Sequence, residues 1–322
     1  MHRRHFISML SLPALASLSR ASAQTGRMAR VAMTANKRYE DVVRDQLVKL
    51  GWIEGRNLQF DYRPTEGDYS NLRSNVKELI QLRPDVIIAG NTLGVAAWLQ
   101  ETSTIPIVFT GLSDPVGSGF ISSLAHPGGN VTGLIANEPS LTGKWLQLLK
   151  ELAPQTVRAI AAFNPSTTAG KGSFFLPTFN ESARAVGLEP LAAPIETSAD
   201  IEPVLKRAAS GPQAGIILLP SPFIFAFRAE IASAAIRNQL PTVGPYPETT
   251  VAGGLASYGT TIEEGYRAAV GYVDRILRGE KPADLPVQTP TKFELTINLK
   301  TARALRLEIS PVLLGRADRV IE

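Results

Sequence analysis

Short apolar runs alternate along this chain with longer stretches in which apolar residues recur every three or four positions. "ARVAMT" (29–34) reads as a strand, and "YEDVVRDQLVKLG" (39–51) as an amphipathic helix closed by Gly51. "LQFDYR" (58–63) alternates as a strand does, and "SNLRSNVKELIQLR" (70–83) is helical and stops before Pro84. "DVIIAG" (85–90) is continuously apolar, as a parallel strand buried on both faces should be. "VAAWLQET" (95–102) is helical and "IPIVFT" (105–110) is again a strand.

After "NVTGLI" (130–135) a second series begins. Its helices are "LTGKWLQLLKELAP" (141–154), "SFFLPTFNESARAVGL" (173–188), "DIEPVLKRAAS" (200–210) and "FIFAFRAEIASAAIRNQ" (223–239). Between them lie the strands "VRAIAAFN", "AGIILLP" and "PTVG" and the extended "EPLAAPI". "LASYGT" (255–260) is a late strand and "IEEGYRAAVGYVDRILRGE" (262–280) a long amphipathic helix; "KFELTIN" and "LKTARALRL" close the series. Strands alternating with helices of this length indicate parallel, doubly wound sheets. The expected class is therefore α/β, in two doubly wound lobes with a hinge near Asn137 to Ser140. "GEKPADLPVQTP" (279–290) has the proline content of a connector between lobes.

The first 23 residues fall outside this pattern. A basic start with Arg3 and Arg4, an apolar run from Phe6 to Leu18 and Ala21-Ser22-Ala23 have the form of an export signal cleaved after Ala23. The apolar run is too short to span a bilayer, which takes about 20 residues. Arg3-Arg4-His5-Phe6 also resembles a twin-arginine signal, although His2 and Ser8 depart from that pattern. Removing the segment takes Arg3, Arg4 and Arg20 from 33 basic residues and leaves 30 against 29 acidic ones, a net charge of +1. Such a chain carries no basic patch that calls for nucleic acid.

Composition excludes more chemistry. With no cysteine there is no disulfide, no thiolate nucleophile and no residue for a lipid anchor at the mature start. His126 is the one histidine beyond the signal, so a histidine-rich metal site is excluded and a Ser-His-Asp triad would depend on that residue alone. His126, before Pro127-Gly128-Gly129, reads as a turn residue. The dinucleotide fingerprint fails because Ser122 stands at the third glycine position after Gly117 and Gly119. A phosphate loop at "PSTTAGKG" fails at Pro165 and Gly172, and a nucleophile elbow at Gly111-Leu112-Ser113 fails at Pro115. No catalytic residue, cofactor or metal site is expected.

What remains is a set of polar and aromatic residues at the carboxyl ends of the strands, the edge at which open α/β sheets bind ligands. These are Thr34, Ala35 and Asn36, then Asn91 and Thr92, then Ser113 and Asp114. The second series adds Asn164, Pro165 and Ser166, Ser221, Tyr246, Glu248, Ser257 and Tyr258. Such groups suit a small polar solute held by hydrogen bonds and ring contact. Each also has a structural reading. Asp114 before Pro115 fits a helix cap, Thr34, Asn91 and Thr92 fit caps too, Asn164-Pro165-Ser166 fits a turn, and the two tyrosines fit packing.

Four stretches carry a family resemblance: "KLGWIEGRNLQFDYRPTEGDYSNL", "IPIVFTGLSDPVGSGFISSLAHPGGNVTGL", "GGLASYGT" and "LPVQTPTKFELTINLKTARALRL". In the same order, over nearly the whole chain beyond the signal, they resemble the solute-binding proteins of ABC importers in the tryptophan/tyrosine-type group. That resemblance implies a type I periplasmic binding fold, two lobes joined by three crossings that close on a solute. It implies that residues 29–137 with about 255–280 form the first lobe, and 138–254 with about 281–322 the second. It further implies a monomer in the periplasm that passes a small solute, an aromatic or other amino acid, to an ABC permease and its ATPase. On this reading Asp114 or Glu248 meets an ammonium, Thr92, Ser113 and Ser166 a carboxylate, and Tyr246, Tyr258 or Phe163 the side chain. "AGNTLGVAA" departs from the family pattern, with Asn91 and Leu93 where many relatives carry a small residue and a proline. A sensor subunit for a membrane receptor needs the same closing cleft, and an exported α/β enzyme is the third reading.

Overall fold

The computed structural model describes residues 28–65 and 70–322. The expected signal and its cleavage site after Ala23 lie outside the described residues. The first lobe builds β1 (Ala29–Ala35), α1 (Lys37–Lys49), β2 (Leu58–Pro64), α2 (Leu72–Gln81), β3 (Val86–Gly90), α3 (Asn91–Glu101), β4 (Ile107–Leu112) and β5 (Val131–Ile135). They form a parallel five-stranded sheet in the order β2-β1-β3-β4-β5. β3 is buried at all five positions, as its unbroken apolar run requires. α1 starts at Asn36, whose side chain accepts from the Arg38 N–H.

The chain then crosses and continues with α4 (Leu141–Leu152), β6 (Arg158–Phe163), α5 (Leu176–Ala185), β7 (Glu189–Pro194), α6 (Ile201–Ala209) and β8 (Ala214–Leu218). Next come α7 (Pro222–Ala226), α8 (Arg228–Arg237), β9 (Thr242–Gly244), α9 (Pro247–Val251), β10 (Ala256–Gly259) and α10 (Ile262–Leu277). β11 (Glu294–Asn298), α11 (Leu299–Ala304), α12 (Pro311–Arg316) and β12 (Arg319–Ile321) end it. The second sheet runs β12-β11-β10-β9-β8-β6-β7, parallel except where β10 and β11 pair antiparallel. Each sheet is covered on both faces. Trp145, Phe175 and Phe179 fill one face of the second sheet and Ile160, Ile216 and Leu205 the other. Val31, Val108 and Tyr266 fill one face of the first, and Ile87, Phe109 and Trp98 the other.

Three sequence expectations need correction. The segment of about 255–280 does not belong to the first lobe as a unit. β10 lies between β9 and β11 in the second sheet, and Tyr258 accepts a hydrogen bond from Trp145 Nε1 at 2.7 Å, while α10 packs on the first lobe. The crossing therefore falls at Thr260-Thr261, where the Thr261 hydroxyl caps α10 by accepting from the Glu264 N–H. The helix expected over 223–239 is two helices, broken at Phe227. The helix expected after Asp114 is a run of turns over 115–119.

Gly133 in β5 shows how tightly the first sheet is built. It has φ +153°, and a Cβ there would lie 2.1 Å from the Phe109 carbonyl oxygen, beside the register shift between Phe109 and Leu112 of β4. That obstacle is backbone and cannot rotate away. Gly133→Ala is therefore expected to destabilise the chain by roughly 1–3 kcal/mol, the usual range for overpacking, measured as a lower urea midpoint against wild type.

Candidate functional site

The carboxyl ends of β1, β3 and β4 face those of β8 and β9 across a cavity of about 440 Å³, well within the range of small-ligand sites. Thr34 and Ala35 end β1 and Asn36 follows it, Asn91 and Thr92 open α3, and Thr110 and Gly111 lie at the end of β4 with Ser113 just beyond it. From the second lobe Ser221 and Phe225 flank the start of α7, Arg228 opens α8, and Tyr246 precedes α9. Thr167 follows β6, and α10 adds Ile262 and Tyr266.

Aromatic rings make two of the walls. Tyr39 and Tyr266 stack with centroids 4.8 Å apart and planes 17° from parallel. Opposite them Phe225 and Tyr246 meet edge to face at 6.0 Å. Both geometries are favoured by the ring quadrupole. The Tyr246 hydroxyl is held by Asn137 Nδ2 at 2.8 Å, and Asn137 is fully buried in the first crossing between lobes. Burial pushes the Tyr246 and Tyr39 phenols up, so both stay neutral.

The polar groups are hydroxyls, amides and helix ends. Asn91 sits at φ +60°, the left-handed region that asparagine tolerates, and its Oδ1 accepts from the Gly94 N–H at 3.1 Å. That turn aims the start of α3 at the cavity, with its first N–H groups and the positive end of its dipole. Thr34 Oγ1 is buried at this edge without a hydrogen-bond partner. Ser221 Oγ caps α7 by accepting from the Ile224 N–H at 3.1 Å. Arg228 is the only charged side chain among the described lining residues, and it lies 4.6 Å over the Phe225 ring.

Of the residues picked out from sequence, Thr34, Ala35, Asn36, Asn91, Thr92, Ser113, Ser221 and Tyr246 line this cavity together. The others lie elsewhere. Asp114 caps its own turn by accepting from the Gly117 N–H at 2.7 Å, and borders a separate hollow with Glu138 and Phe174. Asn164 is buried and donates to the Ile195 and Glu196 carbonyls while accepting from Thr167, so it ties β6 to the end of β7. Pro165 and Ser166 form its turn, with Ser166 exposed. Ser257 is buried within the second sheet, and Tyr258 stacks on Phe293 at 5.7 Å. Phe163 is core. Glu248 is largely buried beyond the cavity lining, 3.9 Å from Arg38.

Sequence reasoning missed Tyr39, Tyr266, Phe225 and Arg228. The first two carry no local signal, because in a helix they share the apolar spacing of core residues. The last two had one: "PSPFIFAFR" puts three phenylalanines and an arginine directly after a strand's carboxyl end. His126 is exposed in a turn with Ser123. No group of three or more histidine, cysteine, aspartate or glutamate side chains among the described residues is placed to hold a metal ion.

A family model of ABC transporter substrate binding proteins matches residues 30–321. The chain is 26% identical over 260 residues to a tyrosine-binding protein of Clostridioides difficile strain R20291, across 80% of this chain and 73% of that one. A conserved domain protein of Vibrio cholerae superposes with a TM-score of 0.82 at 28% identity, over 91% of this chain and 100% of its own. The ABC domain from Streptococcus pneumoniae solved with L-Trp also gives 0.82, at 22% identity and the same coverage, a likeness of fold.

Asn91 supplies the local test of this edge. Valine tolerates the left-handed region poorly and lacks the acceptor for Gly94. Asn91→Val is expected to cost about 2 kcal/mol from the two losses together, and Asn91→Gly less, read as the difference in thermal unfolding between the variants.

Proposed function

The chain belongs to the ABC transporter substrate-binding protein family, and from that premise we propose that it captures an amino acid with an aromatic or apolar side chain between its lobes. It then delivers that solute, in the periplasm and as a monomer, to a membrane permease and its ATPase. The observation that carries the reading is the pair of aromatic walls, Tyr39 with Tyr266 and Phe225 with Tyr246, facing one cavity from different lobes. A flat or apolar side chain between them removes apolar surface from water on both of its faces.

The polar end of the cavity suits a carboxylate. The start of α3 with Thr92 and Ser113 offers it N–H and O–H donors from the first lobe, and Arg228 a guanidinium from the second. Asp114, Glu248 and Ser166 do not line the cavity, so the ammonium is met by hydroxyl, amide and carbonyl oxygens at the strand ends. A solute that touches both lobes binds the closed arrangement better than the open one and shifts the population toward it, with no bond made or broken. The relatives that bind tyrosine and tryptophan support the choice of solute class.

Isothermal titration of residues 24–322 with each amino acid checks this. Tryptophan, tyrosine or another aromatic or apolar amino acid is expected to bind, with Arg228→Met weakening it roughly ten- to hundredfold, the worth of one charged hydrogen bond. Binding of a sugar or polyamine with no response to any amino acid would overturn the reading.

A further inference from the structure

Glu248 lies on α9, in the second lobe, with a side chain 13% exposed. Its Oε2 is sealed from solvent and has no hydrogen-bond partner. What faces it belongs largely to the other lobe. Arg38 on α1 brings Nη1 to 3.9 Å from Oε1, while its Nη2 stands 3.6 Å from Glu263 on α10. Tyr39, next along α1, is buried at the cavity wall. From its own lobe Glu248 has Arg228 on α8 and the neutral Tyr246 within electrostatic reach. Behind α9, β11 contributes the uncharged Asn298, bonded to the Thr250 carbonyl, while Glu294 pairs with Lys292. Tyr258 of β10 stacks on Phe293.

One carboxylate oxygen is thus buried and unsatisfied where the start of α1 meets α9 across the cleft. An ionised carboxylate without partners is costly to bury, and the neutral acid is not. Parting of the lobes would separate α1 from α9 and open Glu248 to water. We propose that Glu248 couples closure of the lobes to uptake of a proton, so that the closed form is favoured in acidic surroundings. The coupling acts on the cleft assigned above, but closure itself is its readout and needs no solute.

The direction of the effect follows from the groups around it. Burial pushes the Glu248 carboxyl up from its ordinary 4.5; its own backbone N–H, Arg38 and Arg228 pull it down by less, and Glu263 pushes it up again. The closed form therefore holds on to its proton at a higher pH than the open form, whose carboxyl is solvated. Between the two values closure takes up a proton, so lowering the pH through that window favours the closed form. Above the raised value closure must bury the charge, and the preference is at its weakest. Arg38 is half exposed and its attraction is screened, which is why the burial of Glu248 decides the sign.

Small-angle scattering on ligand-free residues 24–322 between pH 8 and pH 5 tests the coupling. The wild type is expected to contract as the pH falls. Glu248→Gln, close in shape to the protonated acid, is expected to be equally compact at both ends. Arg38→Gln, lacking a cation that opposes the shift, is expected to contract at a higher pH than wild type. A wild-type radius unchanged across the range, or a contraction that survives in Glu248→Gln, overturns the proposal. So does a midpoint in Arg38→Gln that stays put or falls. Because no amino acid is added, failure here leaves the amino-acid reading intact, and failure of that reading leaves this result standing.

Discussion

A methyl group on Gly90 would lie 2.0 Å from the Tyr266 hydroxyl, and one on Gly265 would lie 2.4 Å from Thr110 Oγ1. These two close approaches seat α10 on the carboxyl ends of β3 and β4. The helix arrives there from β10, which belongs to the other sheet, so its seat is where the second lobe's chain is anchored in the first. A larger residue at either glycine would lift α10 and widen the cleft at its floor. Tyr266 is at once part of the first lobe's core and half of the stacked wall. Packing and recognition thus share a side chain, and neither can change without the other.

The class of fold and most of its elements were legible because their signals are local. "DVIIAG" could be little else than a buried parallel strand, and Asn36 and Thr261 stand where helix caps belong. The sheet that β10 joins was not legible, because strand pairing is a long-range choice. Ser257 finds Thr296 almost forty residues later, and nothing within "LASYGT" names that partner. The break at Phe227 was hidden for a related reason: "FIFAFRAEIASAAIR" satisfies helical spacing throughout, and nothing in it marks the residue at which the helix is interrupted. For the site, the strand-end rule leads to residues that line the first lobe's side of the cavity. It leads away from the cavity where a polar residue at that edge serves the backbone instead, as Asn164 does for two carbonyls and Asp114 for the Gly117 N–H.

Asn137 joins the crossing between the lobes to the aromatic wall. It is fully buried in a crossing between the lobes, gives one amide hydrogen to the Tyr246 hydroxyl and leaves its Oδ1 without a partner. A half-satisfied buried amide is costly, and it has reason to persist where a position is being held rather than merely filled. Rotation at the crossing must carry the Tyr246 ring with it or break the bond. The aromatic wall and the crossing are therefore tied to one another, which a wall of aliphatic side chains would not allow.

The connector between α10 and β11 does more than return the chain to the second lobe. The Ile135 N–H donates to the Gln288 carbonyl, and the Gln288 N–H donates to Gly133, so the connector runs beside β5 as an improvised sixth strand. An open strand edge is a template on which another chain can pair. Here that edge is already taken, by a segment whose neighbouring prolines, Pro286 and Pro290, have no N–H to extend the ladder outward. The connector that returns the chain to the second lobe is thereby also a guard against fibrous self-association.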